Sequence, residues 1–136
     1  MAQSLTLVRE HMVTWLFRIS VTLGMVGMVF GVAMGLTQNW LLAPAHAHLN
    51  LLGWVAMFMS ALYYRTVPEA TKGTLAPVQA VVSVVSAFLF PIGIVCVRLG
   101  DRERFMPVLA AGWVTVVTGM LLFLVIVYRT SARASR

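Results

Sequence analysis

Two histidines stand two residues apart in the segment PAHAHLNLLGW, which runs from Pro44 to Trp54. Neutral imidazole binds haem iron, copper and zinc readily, so His46 and His48 are the residues of this chain best suited to metal chemistry. Successive residues of a helix are rotated by about 100°, so the two rings are expected roughly 200° apart. We therefore predict that the two imidazoles face different neighbours and do not chelate one ion together.

The alternative interpretation is that both rings are polar interfacial groups bonded to backbone or water. Because the two rings point in opposite directions from one membrane helix, at least one of them must face protein or a cavity and not lipid. Ionisable groups inside a membrane are functional candidates. Asn50 and Trp54 follow on the same helix. Because the neighbours of a ligand orient it and tune its affinity, we predict that Asn50 and Trp54 support a cofactor site formed by His46 and His48.

The elements that must position this pair are membrane helices. The 136-residue chain is 60% hydrophobic and only 10% charged, whereas a soluble domain carries about 25% charged residues. Crossing the hydrocarbon core takes about 20 apolar residues. The sequence predicts an all-α, integral membrane domain spanning residues 1–136, and its four helices are expected at about 12–36, 46–64, 75–97 and 105–128.

The basic residues between the apolar runs predict the orientation of the chain. Six lie on one side of the predicted membrane, namely Arg9, Arg65, Lys72, Arg129, Arg133 and Arg136. Three lie on the other side, namely Arg98, Arg102 and Arg104. The positive-inside rule places both termini in the cytoplasm of a bacterial cell and the histidine pair near the outer face of its cytoplasmic membrane. We attribute the net charge of +6 to this orientation and not to nucleic-acid binding.

A second pattern lies on the first predicted helix. Gly24, Gly27, Gly31 and Gly35 are spaced by three, four and four residues. This spacing lines one face with residues that have no side chain, which lets another helix approach closely. We call these four residues the glycine seam and predict that it is a packing surface.

The segment HAHLNLLGW resembles the His-x-His segment on the tenth helix of the catalytic subunit of haem–copper oxidases and of their nitric oxide reductase relatives. It also resembles small four-helix proteins labelled as oxidase subunit I-like. The close match covers residues 44–54. In the large enzymes the first histidine of the pair ligates a high-spin haem and the second a low-spin haem. The resemblance implies that His46 and His48 are each axial ligands of a haem.

The chain also departs from that family. It has three histidines in all, and it lacks both the paired copper histidines and the tyrosine-linked copper ligand. A single chain is not expected to form the binuclear oxygen-reducing site, so oxidase activity by this chain alone is not expected. No Cys-x-x-Cys-His motif is present, so any haem is expected to be non-covalent haem b.

The number of helices predicts an assembly. The oxidase subunit has twelve helices in three pseudo-symmetric groups of four, so three copies of a four-helix chain match it as a homotrimer. A closed ring of head-to-tail contacts suits a helix with different ligands on its two faces. If His46 of one copy pairs with His48 of the next, three six-coordinate haems result. Such iron suits electron transfer, with a quinol or a periplasmic carrier as the expected partner.

Other functions remain open from the residues alone. Three copies of one histidine on the threefold axis would form a copper or zinc site. A structural or assembly subunit is also compatible with the sequence. A small proton-coupled transporter is less favoured because it needs a carboxylate inside the membrane. The acidic residues of the chain all map to termini or loops, namely Glu10, Glu69, Asp101 and Glu103.

Overall fold

The computed structural model describes the backbone of residues 2–134 and the side chains of residues 7 and 9–132. Its elements are α1 (Ala2–Thr37), α2 (Ala43–His48), a π-helical segment (Leu49–Ala56), α3 (Met57–Thr66), a 3-10 turn (Pro68–Thr71), α4 (Leu75–Leu99) and α5 (Arg102–Ala134). No strand occurs in residues 2–134, which confirms the all-α prediction. The side chains of Arg133 and Arg136, both used to predict the orientation, lie outside this description.

Three helices are long and apolar enough to cross a membrane. They comprise Arg9–Thr37, Leu75–Leu99 and Arg102–Ala132. The predicted second helix, residues 46–64, is also helical, but α2, the π-helical segment and α3 divide it into three consecutive pieces. Residues 46–64 are thus helical throughout, while their role as a fourth membrane-crossing helix stays a prediction.

The interruption begins beside the histidine pair, where the Asn50 side chain bonds the backbone of its own helix. The Asn50 amide nitrogen Nδ2 donates to the carbonyl oxygen of His46 across 3.0 Å. In an α-helix that carbonyl would accept the backbone N–H of Asn50 itself. Thr22 makes the same kind of bond to the Arg18 carbonyl oxygen inside the regular helix α1, so the Asn50 bond accompanies the π-helical segment and does not by itself account for it. Apolar periodicity does not predict this segment.

The helices pack in two groups, one formed by α4 and α5 and the other by α1 with the interrupted second helix. α4 and α5 pack against each other along their length, while α1 packs mainly on the π-helical segment and α3. The two helices α4 and α5 approach closely at Gly112, where a Cβ would lie 2.8 Å from Cα of Phe90. One buried cluster, which includes Val13, Met57 and Tyr64, lies toward the α3 end. The other contains Ala45, Phe90, Ile94 and Leu109, and it lies beside the histidine pair.

Candidate functional site

Two of the candidate site residues lie directly on the glycine seam. A Cβ built on Gly31 would lie 2.7 Å from Cε1 of His46, and one built on Gly27 would lie 2.7 Å from Cγ of Asn50. Both distances are shorter than real carbon contacts, so these two positions must be glycine for the polar side chains to lie where they do. Gly35 has nothing within 4 Å. The packing surface is therefore confirmed at Gly24, Gly27 and Gly31, and no contact is found at Gly35 among the described residues.

Trp54 occupies the remaining position of the seam. A Cβ on Gly24 would lie 2.8 Å from Cγ of Trp54, so His46, Asn50 and Trp54 all face α1. Residues four apart drift by about 40° per step around an α-helix. A π turn takes more than four residues, so the drift of a four-residue step there runs in the opposite direction. The contacts with Gly24, Gly27 and Gly31 show that the three residues share the face toward α1.

The contacts of Asn50 determine the tautomer of His46. Nδ2 of Asn50 lies 3.3 Å from Nδ1 of His46 and 3.0 Å from the His46 carbonyl oxygen. The carbonyl oxygen can only accept, so this amide nitrogen must be oriented toward it as the donor. The amide nitrogen donates to Nδ1 as well, which places the proton of the neutral His46 ring on Nε2. To ligate a metal through Nε2, His46 would have to move this proton and give up its bond from Asn50.

His48 has the opposite tautomer. Its Nδ1 lies 2.7 Å from the carbonyl oxygen of Pro44 and must donate to it. The neutral ring then carries an unprotonated Nε2. Metal-ligating histidines almost always donate their other ring N–H to a carboxylate or a backbone carbonyl, which fixes the ring and raises its basicity. The bond to the Pro44 carbonyl oxygen fixes the His48 ring in the same way, and His11 makes the equivalent bond to the Leu7 carbonyl oxygen.

The two rings contact different helices, as the sequence predicts. The His46 ring lies edge-on to Phe30 of α1, with the ring centroids 6.0 Å apart. The His48 ring lies edge-on to Phe90 of α4, with the centroids 4.6 Å apart. Both imidazoles are half-buried. The aromatic partners Phe30 and Phe90 were not among the predicted site residues, because their distance along the chain hides the contact.

A cavity of about 450 Å³ opens beside His48, and we call it the outer cavity. It is lined by Pro44, Phe90, Ile94, Val97, Arg98, Arg102, Met106, Leu109 and Trp113. Pro44 and Phe90 also contact the His48 ring, although His48 itself does not line the cavity. The remaining wall is apolar apart from the two arginines. The cavity therefore combines an apolar wall with two cationic side chains.

The two arginines of the outer cavity have no acidic partner among the described side chains. The one ion pair found there joins Lys72 and Glu69. From the sequence, Arg98 and Arg102 indicate only the orientation of the chain. The signal that could have identified them is their position on the same predicted side of the membrane as the histidine pair.

The structure assembles no closed ion site from its own ligands. No group of three or more His, Cys, Asp or Glu side chains comes together in the described part of the chain. A site made only of histidines would therefore need other copies of the chain, whereas haem brings four nitrogen ligands of its own.

Comparison with known proteins gives no assignment. No family model, no curated protein and no solved structure matches this chain.

Proposed function

We propose that this chain is an integral membrane protein of the bacterial cytoplasmic membrane with both termini in the cytoplasm. Three helices have the required length and composition. Large apolar side chains also remain exposed along the outer faces of α1 and α5, among them Val21, Met25, Val29, Val114, Val117 and Leu121. A soluble monomer rarely exposes continuous apolar surface of this kind, whereas lipid or neighbouring helices would cover it.

The function that the geometry supports best is non-covalent binding of haem b for electron transfer. The single observation that carries this proposal is the placement of His48, whose Nδ1 bonds the Pro44 carbonyl oxygen and leaves Nε2 free, against Phe90 in the wall of the outer cavity. The outer cavity adds an apolar wall for a macrocycle, and Arg98 and Arg102 would hold its carboxylates. When bound, haem supplies a one-electron couple.

In this proposal His46 of a neighbouring copy in a homotrimer would supply the second histidine that holds the haem. A single chain presents its two imidazoles to different helices, so bis-histidine ligation needs a second chain. Three copies would give three equivalent sites. His46 must leave its contact with Asn50 to ligate, so Asn50 is a positioning residue that sets how easily the second ligand is supplied. Trp54 supports the same face of the helix.

Absorption spectroscopy and native mass measurement test this function. The protein is expressed in haem-replete cells and purified in nanodiscs, and oxidised, reduced and pyridine haemochrome spectra are recorded together with metal analysis. We expect a low-spin haem b spectrum, one haem per chain and a mass of three chains. A colourless protein would overturn the haem proposal, and a dimer would overturn the ring.

A copper or zinc site is the second candidate function, and the free Nε2 of His48 favours it as well. Three copies of His48 on a threefold axis would supply three imidazoles. Metal analysis of a colourless trimer would identify this case. A proton-coupled transporter is not favoured, because the acidic side chains Glu10, Glu69, Asp101 and Glu103 are all exposed.

A further inference from the structure

A second cavity, of about 380 Å³, lies between the π-helical segment, α3, α4 and α5. We call it the Ser83 cavity. Most of its wall is apolar and includes Leu51, Val55, Met59 and Met120. Four polar residues also line it, namely Ser60, Gln79, Ser83 and Ser86. Neither the histidine pair nor the outer cavity shares any of these residues.

A chain of hydrogen bonds ends at this cavity. The Tyr64 hydroxyl donates to Oε1 of Gln79 across 2.8 Å, and Nε2 of Gln79 donates to Oγ of Ser83 across 2.8 Å. Tyr64 and Gln79 are 0% and 2% exposed, so both depend on these bonds. Ser83 is half-buried and borders the cavity.

The direction of this chain is determined by burial. If the Gln79 amide were reversed, Ser83 would donate to Oε1 and Tyr64 would accept from Nε2. The Tyr64 hydroxyl hydrogen would then need a different acceptor at a fully buried position, and leaving a buried donor unpaired costs about 1–3 kcal/mol. The observed orientation instead leaves the unused donor on Ser83. Among the described residues, no acceptor for the Ser83 hydroxyl hydrogen is found.

The position of Ser83 along α4 limits which kind of molecule can accept the hydrogen bond from its hydroxyl group. Ser83 lies eight residues after Leu75, at the start of α4, which places it about 12 Å along the helix. In the proposed membrane orientation this depth lies within the hydrocarbon core, where polar groups find no bulk water. The complementary ligand is therefore a molecule dissolved in the membrane.

We propose that the Ser83 cavity binds a membrane-dissolved small molecule with an apolar body and one hydrogen-bond acceptor oxygen, such as a ketone carbonyl. The Ser83 hydroxyl donates to that oxygen while the apolar wall contacts the body. The carbonyl is preferred because the cavity offers a spare donor, and a plain hydrocarbon chain would leave that donor unpaired. This inference rests on the proposed membrane location and is independent of haem.

Photolabelling with benzophenone tests the proposal, since this apolar ketone reacts with nearby C–H bonds when irradiated. Protein in nanodiscs is irradiated with increasing benzophenone, and labelled peptides are identified by mass spectrometry. We expect saturable labelling at Met59 or Met120, which line the cavity. Ser83→Ala should raise the half-saturating concentration about fivefold, the effect of one hydrogen bond. Unchanged saturation in Ser83→Ala would overturn the proposal.

Two further variants separate binding from folding. A Cβ on Gly119 would lie 3.6 Å from Oγ of Ser83 and 3.4 Å from Val82, both ordinary contacts. Gly119→Ala therefore narrows the cavity without a clash and should weaken labelling while the melting temperature is retained. Ser131→Ala is the matched control, because that exposed hydroxyl donates to the Val127 carbonyl oxygen away from the cavity. It should leave labelling unchanged.

A competitor distinguishes a ketone site from a groove for acyl chains. Diphenylmethane has the shape of benzophenone but no carbonyl, so it should compete about fivefold less well than unlabelled 4-methylbenzophenone. Equal competition by the two would show a groove without polar recognition and would contradict the proposal. His48→Ala should keep full labelling of the Ser83 cavity. Photolabelling therefore tests this site independently of the haem proposal.

Discussion

Nδ1 of His48 donates to the carbonyl oxygen of Pro44 across 2.7 Å, within one turn of the same helix. Two residues earlier, Nδ1 of His46 accepts from Asn50 instead. The two imidazoles therefore differ in tautomer as well as in direction. Ligation of iron requires an unprotonated nitrogen, so His48 is ready to ligate and His46 becomes ready only when Asn50 releases it.

The first prediction concerns His48. His48→Ala should convert low-spin, six-coordinate haem to a five-coordinate, high-spin form that binds carbon monoxide, which the parent protein should resist. The physical reason is that every proposed site takes one axial ligand from this residue. Absorption spectra with and without carbon monoxide measure the change.

His11→Ala is the matched control for that variant. His11 is exposed, and its Nδ1 bonds the Leu7 carbonyl oxygen of its own helix. It lies at the opposite end of α1 from Gly31, the residue that contacts His46. Its removal should leave the spectrum unchanged. A full low-spin spectrum in His48→Ala would show that His48 is not a ligand.

The second prediction separates Asn50 from the ligands. Asn50→Ala removes the donor to both Nδ1 and the carbonyl oxygen of His46. We expect haem to stay low-spin while its midpoint potential shifts, because the orientation of the second imidazole changes but its nitrogen remains. A redox titration measures this shift. Asn39→Ala provides the control, since the exposed Asn39 side chain accepts only from the Leu41 backbone N–H.

The lengths of the apolar runs in the sequence are enough to locate most of the helices. α4 was expected over residues 75–97 and extends from Leu75 to Leu99. α1 was expected to begin at residue 12 and begins at Ala2, because its polar first turns carry no hydropathy signal. Neither the π-helical segment nor the two tautomers could be predicted. The tautomers depend on the contacts that Asn50 makes with His46 and Pro44 makes with His48, and these contacts follow from side-chain conformations that hydropathy does not encode.

The third prediction tests the glycine seam. Gly31→Ala would force a methyl group to within 2.7 Å of the His46 ring, and overpacking of this kind costs about 1–3 kcal/mol. We expect a lower melting temperature and weaker haem retention. Gly35→Ala meets nothing within 4 Å and should change the free energy of unfolding by less than about 1 kcal/mol. Equal melting temperatures for the two variants would contradict the close contact between Gly31 and His46.

The last prediction concerns the outer cavity. Arg98 and Arg102 line it from the end of α4 and the start of α5, and they have no acidic partner among the described side chains. If they hold haem carboxylates, replacing either with glutamine removes a charge-assisted hydrogen bond. Transfer of haem to apomyoglobin should then be roughly fivefold faster, since each bond contributes about 1 kcal/mol at an exposed position. Arg104→Gln serves as the control, because Arg104 lies on Phe105 outside the cavity wall. Equal transfer rates for all three variants would place the carboxylates elsewhere and remove the outer cavity from the haem site.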